Sequence, residues 1–194
     1  MINIDILLVF FYSYFLGSIP FGLLLTKIFL NQDIRNVGSG NIGTTNVLRT
    51  GNKSLAAATL LFDVLKGYVS IIIAYKYFNE LVYLSALTCF IGHIFPIWLK
   101  FKGGKGVATY LGIILGVSFK LSIIFCVAWL LIAIIFRYSS LSSILGAMIV
   151  CVYSSYTSNL MQSYFLFIMC VVIIFTHKEN IVRLKNSKES KIKL

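Results

Sequence analysis

Between two long apolar segments lies Gly38-Ser39-Gly40-Asn41-Ile42-Gly43-Thr44-Thr45-Asn46, closed by Arg49. Glycines such as Gly38 and Gly40 let backbone N–H groups crowd around an anion. Ser39, Asn41, Thr44, Thr45 and Asn46 add neutral donors, and Arg49 adds a permanent charge whose fork suits phosphate. A second run, Lys100-Phe101-Lys102-Gly103-Gly104-Lys105-Gly106, sets three lysines beside exposed backbone donors at the start of an expected helix, whose dipole also favours an anion. It is not a nucleotide-binding P-loop: no hydroxyl residue follows Lys105, no strand precedes the glycines, and the Gly-x-x-x-x-Gly-Lys spacing is missing. A third cluster follows the last apolar segment. On a continuing helix His177, Asn180, Arg183 and Leu184 share one face, a pattern suited to a phosphate ester. Arg137 with Ser139 and Ser140 makes a smaller donor group. Together these groups predict a phosphorylated substrate handled at a membrane surface.

The elements that must position them are helices in a bilayer. Of 194 residues, 59% are hydrophobic, and the mean hydropathy is +0.92, whereas soluble domains are roughly 45–50% apolar. The net charge of +11 is spread between and after apolar runs, which argues for membrane orientation and against nucleic acid. Apolar stretches at 5–29, 54–76, 81–99, 105–119, 120–136, 141–158 and 160–176 predict an all-α integral membrane protein of about seven spans. Residues 105–136 read as two spans turning near Ser118, because one long helix would hold Lys120 mid-membrane at roughly 2.5–3.5 kcal/mol. With the N-terminus outside and the C-terminus cytoplasmic, 13 of the 17 basic residues fall inside, as the positive-inside rule requires. Every glycine-rich or basic loop then faces the cytoplasm. The expected organisation is one transmembrane catalytic domain over 1–184 and a basic cytoplasmic tail over 185–194. Asp5 stands where a signal peptide would carry basic charge, so the first segment is expected to remain as a span.

Other residues read structurally. Cys89, Cys126, Cys151 and Cys170 lie in apolar runs at no metal-like spacing and are expected to be small buried hydrophobes. Gly17-Ser18-Ile19-Pro20-Phe21-Gly22 predicts a kink or close helix packing. Asp63 and Lys66, one turn apart, are expected to pair, as a functional site or as a tie between helices. His93 near Pro96 reads as a packing residue.

With these residues in view, the chain resembles the bacterial acyl-phosphate:glycerol-3-phosphate acyltransferases. Gly38 to Arg49 is similar to their first motif. Gly92-His93-Ile94-Phe95-Pro96, running into Phe101 to Thr109, resembles the second, and His177 to Leu184 resembles the third. The match runs in order through nearly the whole chain; one departure is Ile42, where the family often has proline. The resemblance implies transfer of a fatty acyl group from a long-chain acyl phosphate to the sn-1 hydroxyl of glycerol 3-phosphate. The products would be lysophosphatidic acid and phosphate, formed at the cytoplasmic side of the inner membrane. It implies Ser39, Lys105, His177 and Asn180 as catalytic residues. Substrate would be bound by Gly38, Gly40, Asn41, Thr45, Asn46, Arg49, Lys102, Gly103, Gly104, Gly106, Ser139, Ser140 and Arg183. A soluble enzyme that makes the acyl phosphate is an implied partner. No cofactor is implied, and six acidic residues argue against a metal requirement.

Three other classes compete. A His-x-x-x-x-Asp acyltransferase fails because Trp98 follows His93 at that spacing and Val182 follows His177. A metal-dependent phosphatidyltransferase needs several carboxylates together, and Asp63 stands alone well inside a span. A transporter of an organic phosphate would show internal repeats and midplane binding groups; no repeat is visible, and the polar motifs cluster at one face.

Overall fold

The computed structural model describes residues 4–157 and 159–192, and among these every regular element is helical. The chain divides into two compact units, one ending at Val117 and the other beginning at Ser118.

The first unit opens with α1 (Ile4–Ser18) and α2 (Phe21–Leu30), interrupted at Ile19 and Pro20. Asn31 ends α2 in the left-handed region at φ 50°. The polar loop contains the short helix α3 (Thr44–Val47). Asn52 then caps α4 (Lys53–Tyr77), its Oδ1 accepting from Leu55 N at 3.0 Å. α5 (Val82–Ile94) and α6 (Val107–Val117) complete the unit.

Two pairs of glycines set its helix spacing. A Cβ at Gly17 of α1 would overlap the Cys89 carbonyl of α5, and one at Gly92 of α5 would overlap the Tyr14 carbonyl of α1. Gly67 of α4 and Gly112 of α6 meet the Thr109 and Val64 carbonyls in the same reciprocal way. Such backbone approach replaces hydrophobic driving force where lipid is as apolar as leucine. Gly22 does the same for the loop, since a Cβ there would overlap the Ile42 carbonyl. The close packing expected around Gly17 and Gly22 is therefore present.

In the second unit Ser118 caps α7 (Phe119–Phe136), followed by α8 (Ser139–Thr157), α9 (Leu160–Thr176) and α10 (Lys178–Lys185). The helix break expected near Ser118 falls there. α8 packs against both α7 and α9, tied by Trp129 Nε1–H to Ser143 Oγ (3.1 Å) and Ser163 Oγ–H to the Ser154 carbonyl (3.0 Å). α7 turns only Leu121, Ser122, Phe125 and Ala133 inward and leaves Ile123, Val127, Leu130, Leu131, Ile134 and Ile135 exposed. An outward aliphatic face of this extent belongs in lipid. All four cysteines are unpaired; Cys126, expected to be buried, lies exposed on that face.

Among the described residues, five helical stretches are long and apolar enough to cross a bilayer: Ile4–Leu30, Lys53–Tyr77, Asn79–Leu99, Phe119–Phe136 and Ser139–Thr157. Leu160–Thr176 and Lys178–Lys185 pass the same test together, as a pair bent by 58° that makes a sixth when it is counted as one broken span. The expected span at 105–119 is realised as an 11-residue helix, about 16 Å long against a hydrocarbon core of about 30 Å.

Candidate active site

The first polar loop is ordered by its own main chain. Asp33 starts it, accepting from Arg35 N at 3.0 Å and pairing with the Arg35 guanidinium at 2.6 Å. Those Arg35 hydrogen bonds hold the Asp33 carboxyl down to about 2. Asn46 is the loop's buried centre. Its Oδ1 accepts from Ser39 N at 3.0 Å, and its Nδ2 lies 3.1, 2.9 and 2.8 Å from the Ile34, Val37 and Asn41 carbonyls. Expected among the substrate ligands, Asn46 also ties the loop together, because both ends of its amide face main chain. Asn41 Oδ1 likewise accepts from Gly43 N at 2.8 Å.

What the loop presents is Ser39 and Arg49, both exposed. Gly38 sits at φ +56°, where an added Cβ would lie 2.5 Å from Asn46 Oδ1 and 3.0 Å from Arg49 Nη1. The glycine is required twice, by its dihedral and by the arginine laid against it. Gly40, Thr45 and Arg49 lie on this same exposed rim.

The second loop is built on the end of α5. Gly103 N donates to the Ile94 carbonyl at 2.9 Å and Gly104 N to the His93 carbonyl at 3.1 Å. A Cβ on Gly104 would overlap His93 Nε2, and one on Gly103 the His93 carbonyl. Lys100 and Phe101 both adopt left-handed backbone, at φ 51° and 61°. This strained geometry is common at ligand loops. Gly106 at φ +85° lies over the Phe90 ring and begins α6. Lys105 is half-buried between these glycines, while Lys102 is exposed. Leu99 packs on the cluster that includes Ile42 and Val47, so both loops share one apolar base.

The second unit gathers its own donors. Ser140 Oγ–H and Asn180 Nδ2–H donate to Glu189 Oε1 at 2.7 and 2.6 Å, and Arg183 Nε–H donates to Glu189 Oε2 at 2.7 Å. Arg137 donates to the Ile192 carbonyl from Nη2 at 3.2 Å, and Ile192 N returns a bond to the Arg137 carbonyl at 2.7 Å. Ser139 lies beside Ser140 at the start of α8, its carbonyl accepting from Ser143 Oγ at 2.8 Å. Glu189 is the residue sequence reasoning missed; its one signal is a lone carboxylate among tail lysines. Burial raises its pKa, but the hydrogen bonds from Asn180, Arg183 and Ser140 and the Arg183 charge outweigh that and hold it below the usual range.

The helix carrying His177, Asn180 and Arg183 does not continue from α9, as expected, but bends by 58° at His177. The cause is the Ile173 carbonyl, which accepts from His177 N (3.1 Å), Thr176 Oγ1 (2.9 Å) and His177 Nδ1 (2.8 Å). Side-chain donors added to a carbonyl that keeps its ladder bond distort and bend the helix there. In a neutral His177 ring this bond places the hydrogen on Nδ1, leaving Nε2 as acceptor. Three-residue spacing still lets Asn180 and Arg183 reach Glu189 together.

Thus Ser39, Arg49 and Asn46 meet at Gly38, Lys105 stands on the neighbouring loop, and Ser140, Asn180 and Arg183 meet in the second unit. Asp63, Lys66 and His93 lie deeper, as a buried tie in the first unit.

This arrangement has close relatives. The family description "Glycerol-3-phosphate acyltransferase" matches residues 7–187. The glycerol-3-phosphate acyltransferase of Pelagibacter ubique is 50% identical over 182 residues, 94% of this chain and 95% of that protein. The one from Brucella anthropi is 50% identical over 182 residues, 93% and 90% of the two chains. The crystal structure of PlsY (YgiH), an integral membrane glycerol 3-phosphate acyltransferase, in its glycerol 3-phosphate form matches at TM-score 0.92 and 34% identity. That match covers 97% of this chain and 96% of the other. Its lysophosphatidic acid form matches at TM-score 0.89 and 33% identity, over 96% and 95%. With two motifs on ordered loops, a third on α10, and relatives aligned along nearly its full length, this chain belongs to the glycerol-3-phosphate acyltransferase family.

Proposed function

We propose that the protein transfers a fatty acyl group from a long-chain acyl phosphate to the sn-1 hydroxyl of glycerol 3-phosphate. The observation that carries this is the Asn46-tied loop with Ser39 and Arg49 at its glycine turn, in a chain of this family. A relative crystallised with glycerol 3-phosphate and with lysophosphatidic acid supports the acceptor and the product.

An acyl phosphate is a mixed anhydride with a good leaving group, so positioning and charge stabilisation suffice. The sn-1 oxygen attacks the acyl carbon, the bond from that carbon to the phosphate oxygen breaks, and phosphate departs. Arg49 and Lys105 neutralise phosphate charge, and Ser39 donates beside them, with Gly40, Thr45, Lys102 and the Gly103, Gly104 and Gly106 backbone around them. Within the second unit Asn180, Arg183, Ser139 and Ser140 are phosphate donors by family resemblance, and there Glu189 orients Asn180 and Arg183. The hydroxyl proton passes to the departing phosphate. His177 is the rival base, but a main-chain carbonyl holds its Nδ1 hydrogen, without the charge a carboxylate would place there.

The active loops face the cytoplasm of a bacterial inner membrane, in one catalytic domain over 1–184. Seven spans, with the N-terminus outside, include α6 as a short crossing. Its buried Thr109, Tyr110, Gly112, Ile113 and Ile114 shield it from lipid, and the basic loops support the orientation. A soluble acyl-phosphate-forming enzyme delivers the donor at that face.

The deciding experiment offers purified protein glycerol 3-phosphate with acyl phosphate, acyl-CoA or acyl carrier protein. Lysophosphatidic acid and phosphate should form from acyl phosphate alone. Turnover with acyl-CoA but not acyl phosphate would refute the donor, and no acylation of glycerol 3-phosphate would refute the reading.

A further inference from the structure

Beneath the two polar loops of the first unit lies a group of buried titratable side chains, Asp63, Lys66 and His93. Asp63 and Lys66 of α4 pair at 2.7 Å with side chains 3% and 1% exposed. Lys66 Nζ also donates to the Ile19 carbonyl at 2.9 Å, inside the break between α1 and α2. His93 Nδ1 stands 3.6 Å from the same Asp63 oxygen. The other side of the His93 ring is covered by Gly104, where no side chain would fit.

Charges at this depth are costly and are rarely kept for packing alone. Neutral bonds also join these helices. Tyr12, Ser70 and Ser85 already join α1, α4 and α5 through neutral bonds of 2.8–3.1 Å, and Ser13 bonds to Thr88 alongside. What distinguishes the charged group is where its ends lead. Through Lys66 it reaches Ile19, three residues before Gly22, whose missing side chain leaves room for the Ile42 carbonyl of the first loop. Through His93 it reaches the backbone of Gly103 and Gly104, immediately before Lys105.

We propose that Asp63, Lys66 and His93 are positioning residues that hold the two phosphate loops in register, chiefly by fixing the backbone on which Lys105 stands. Asp63 is the hub: it orients Lys66 toward the α1–α2 break and stands as the carboxylate nearest the His93 ring under Gly104. The inference rests on Lys105 being a phosphate ligand, and its consequence is a role in glycerol 3-phosphate affinity for residues that never touch substrate.

The test uses the full chain in nanodiscs, with one readout independent of turnover. In hydrogen exchange, Asp63→Asn and His93→Ala should speed exchange of the Gly103 and Gly104 amides by about tenfold, leaving amides of α7–α9 unchanged. In kinetics the same variants should raise KM for glycerol 3-phosphate more than they lower kcat, with His93→Gln recovering part of the loss. Gly104→Ala overlaps the His93 ring in the parent but finds room in His93→Ala. The two effects on KM should therefore depart from additivity by about tenfold. Unchanged exchange at Gly103 and Gly104, or additive KM effects, would overturn the proposal. A parent that fails to acylate glycerol 3-phosphate refutes the functional reading instead, and the exchange result still decides the tie. Should Asp63→Asn not fold, His93→Gln, which keeps volume and polarity, supplies the same exchange measurement.

Discussion

Ser39 and Asn46 lie seven residues apart and bond to each other, yet one is an exposed donor and the other a buried tie. Residue type does not separate those roles, since an amide serves a ligand and a loop equally well. Only the three carbonyls around Asn46 Nδ2 do. The place of Arg49 beside the Gly38 turn was legible, because it follows the glycine run by a few residues. Replacing it with Lys keeps the charge but removes the planar fork. Arg49→Lys should lose at least tenfold in kcat/KM, and Ser39→Ala about 10²-fold, read as lysophosphatidic acid formed per folded protein. His177→Gln should keep most turnover if the donor phosphate takes the proton. A collapse comparable to Arg49→Lys would instead assign the base to His177.

At the scale of elements, the break at Ser118 could be foreseen because Lys120 resists the bilayer centre, and a serine cap sits there. The bend at His177 could not, since it depends on one carbonyl collecting three donors. Glu189 escaped notice for a similar reason: within a lysine-rich tail a carboxylate reads as solvated until its donors from α8 and α10 are seen. Glu189→Ala leaves Asn180, Arg183 and Ser140 without their shared acceptor and should cost roughly 2–4 kcal/mol, measured as lost thermal stability in detergent. Because its folded pKa is depressed, the carboxylate's contribution is complete above its ordinary value of 4.5. It fades as pH falls below that value, so acid should selectively loosen residues 186–192. For α4 and α6, Gly67→Val drives a branched side chain into the Thr109 carbonyl. It should lower folded yield sharply, while a valine at the open Gly51, which clashes with nothing, should cost only its dihedral strain.

For the whole molecule, composition announced a bilayer protein, and the exposed aliphatic faces of α1, α7 and α9 agree. The number of crossings was less legible, because α6 is half the usual length. Its fate depends on packing against α4 through Gly67 and Gly112, which hydropathy does not register. Orientation is testable with single cysteines in intact cells. A cysteine at Ser39 or Lys102 should react only after the inner membrane is permeabilised, and one at Glu80 or Lys120 without it; the reverse would invert the topology. The Asp63–Lys66 pair carries one more consequence, for biogenesis. Both partners belong to a single helix and stand one turn apart. The salt bridge therefore needs only α4 to coil and no contact from α5. The segment is handed to the lipid already neutralised, so the order of helix insertion need not wait for a counter-ion from elsewhere. Moving either partner to a neighbouring helix would leave an uncompensated charge stranded in the translocon.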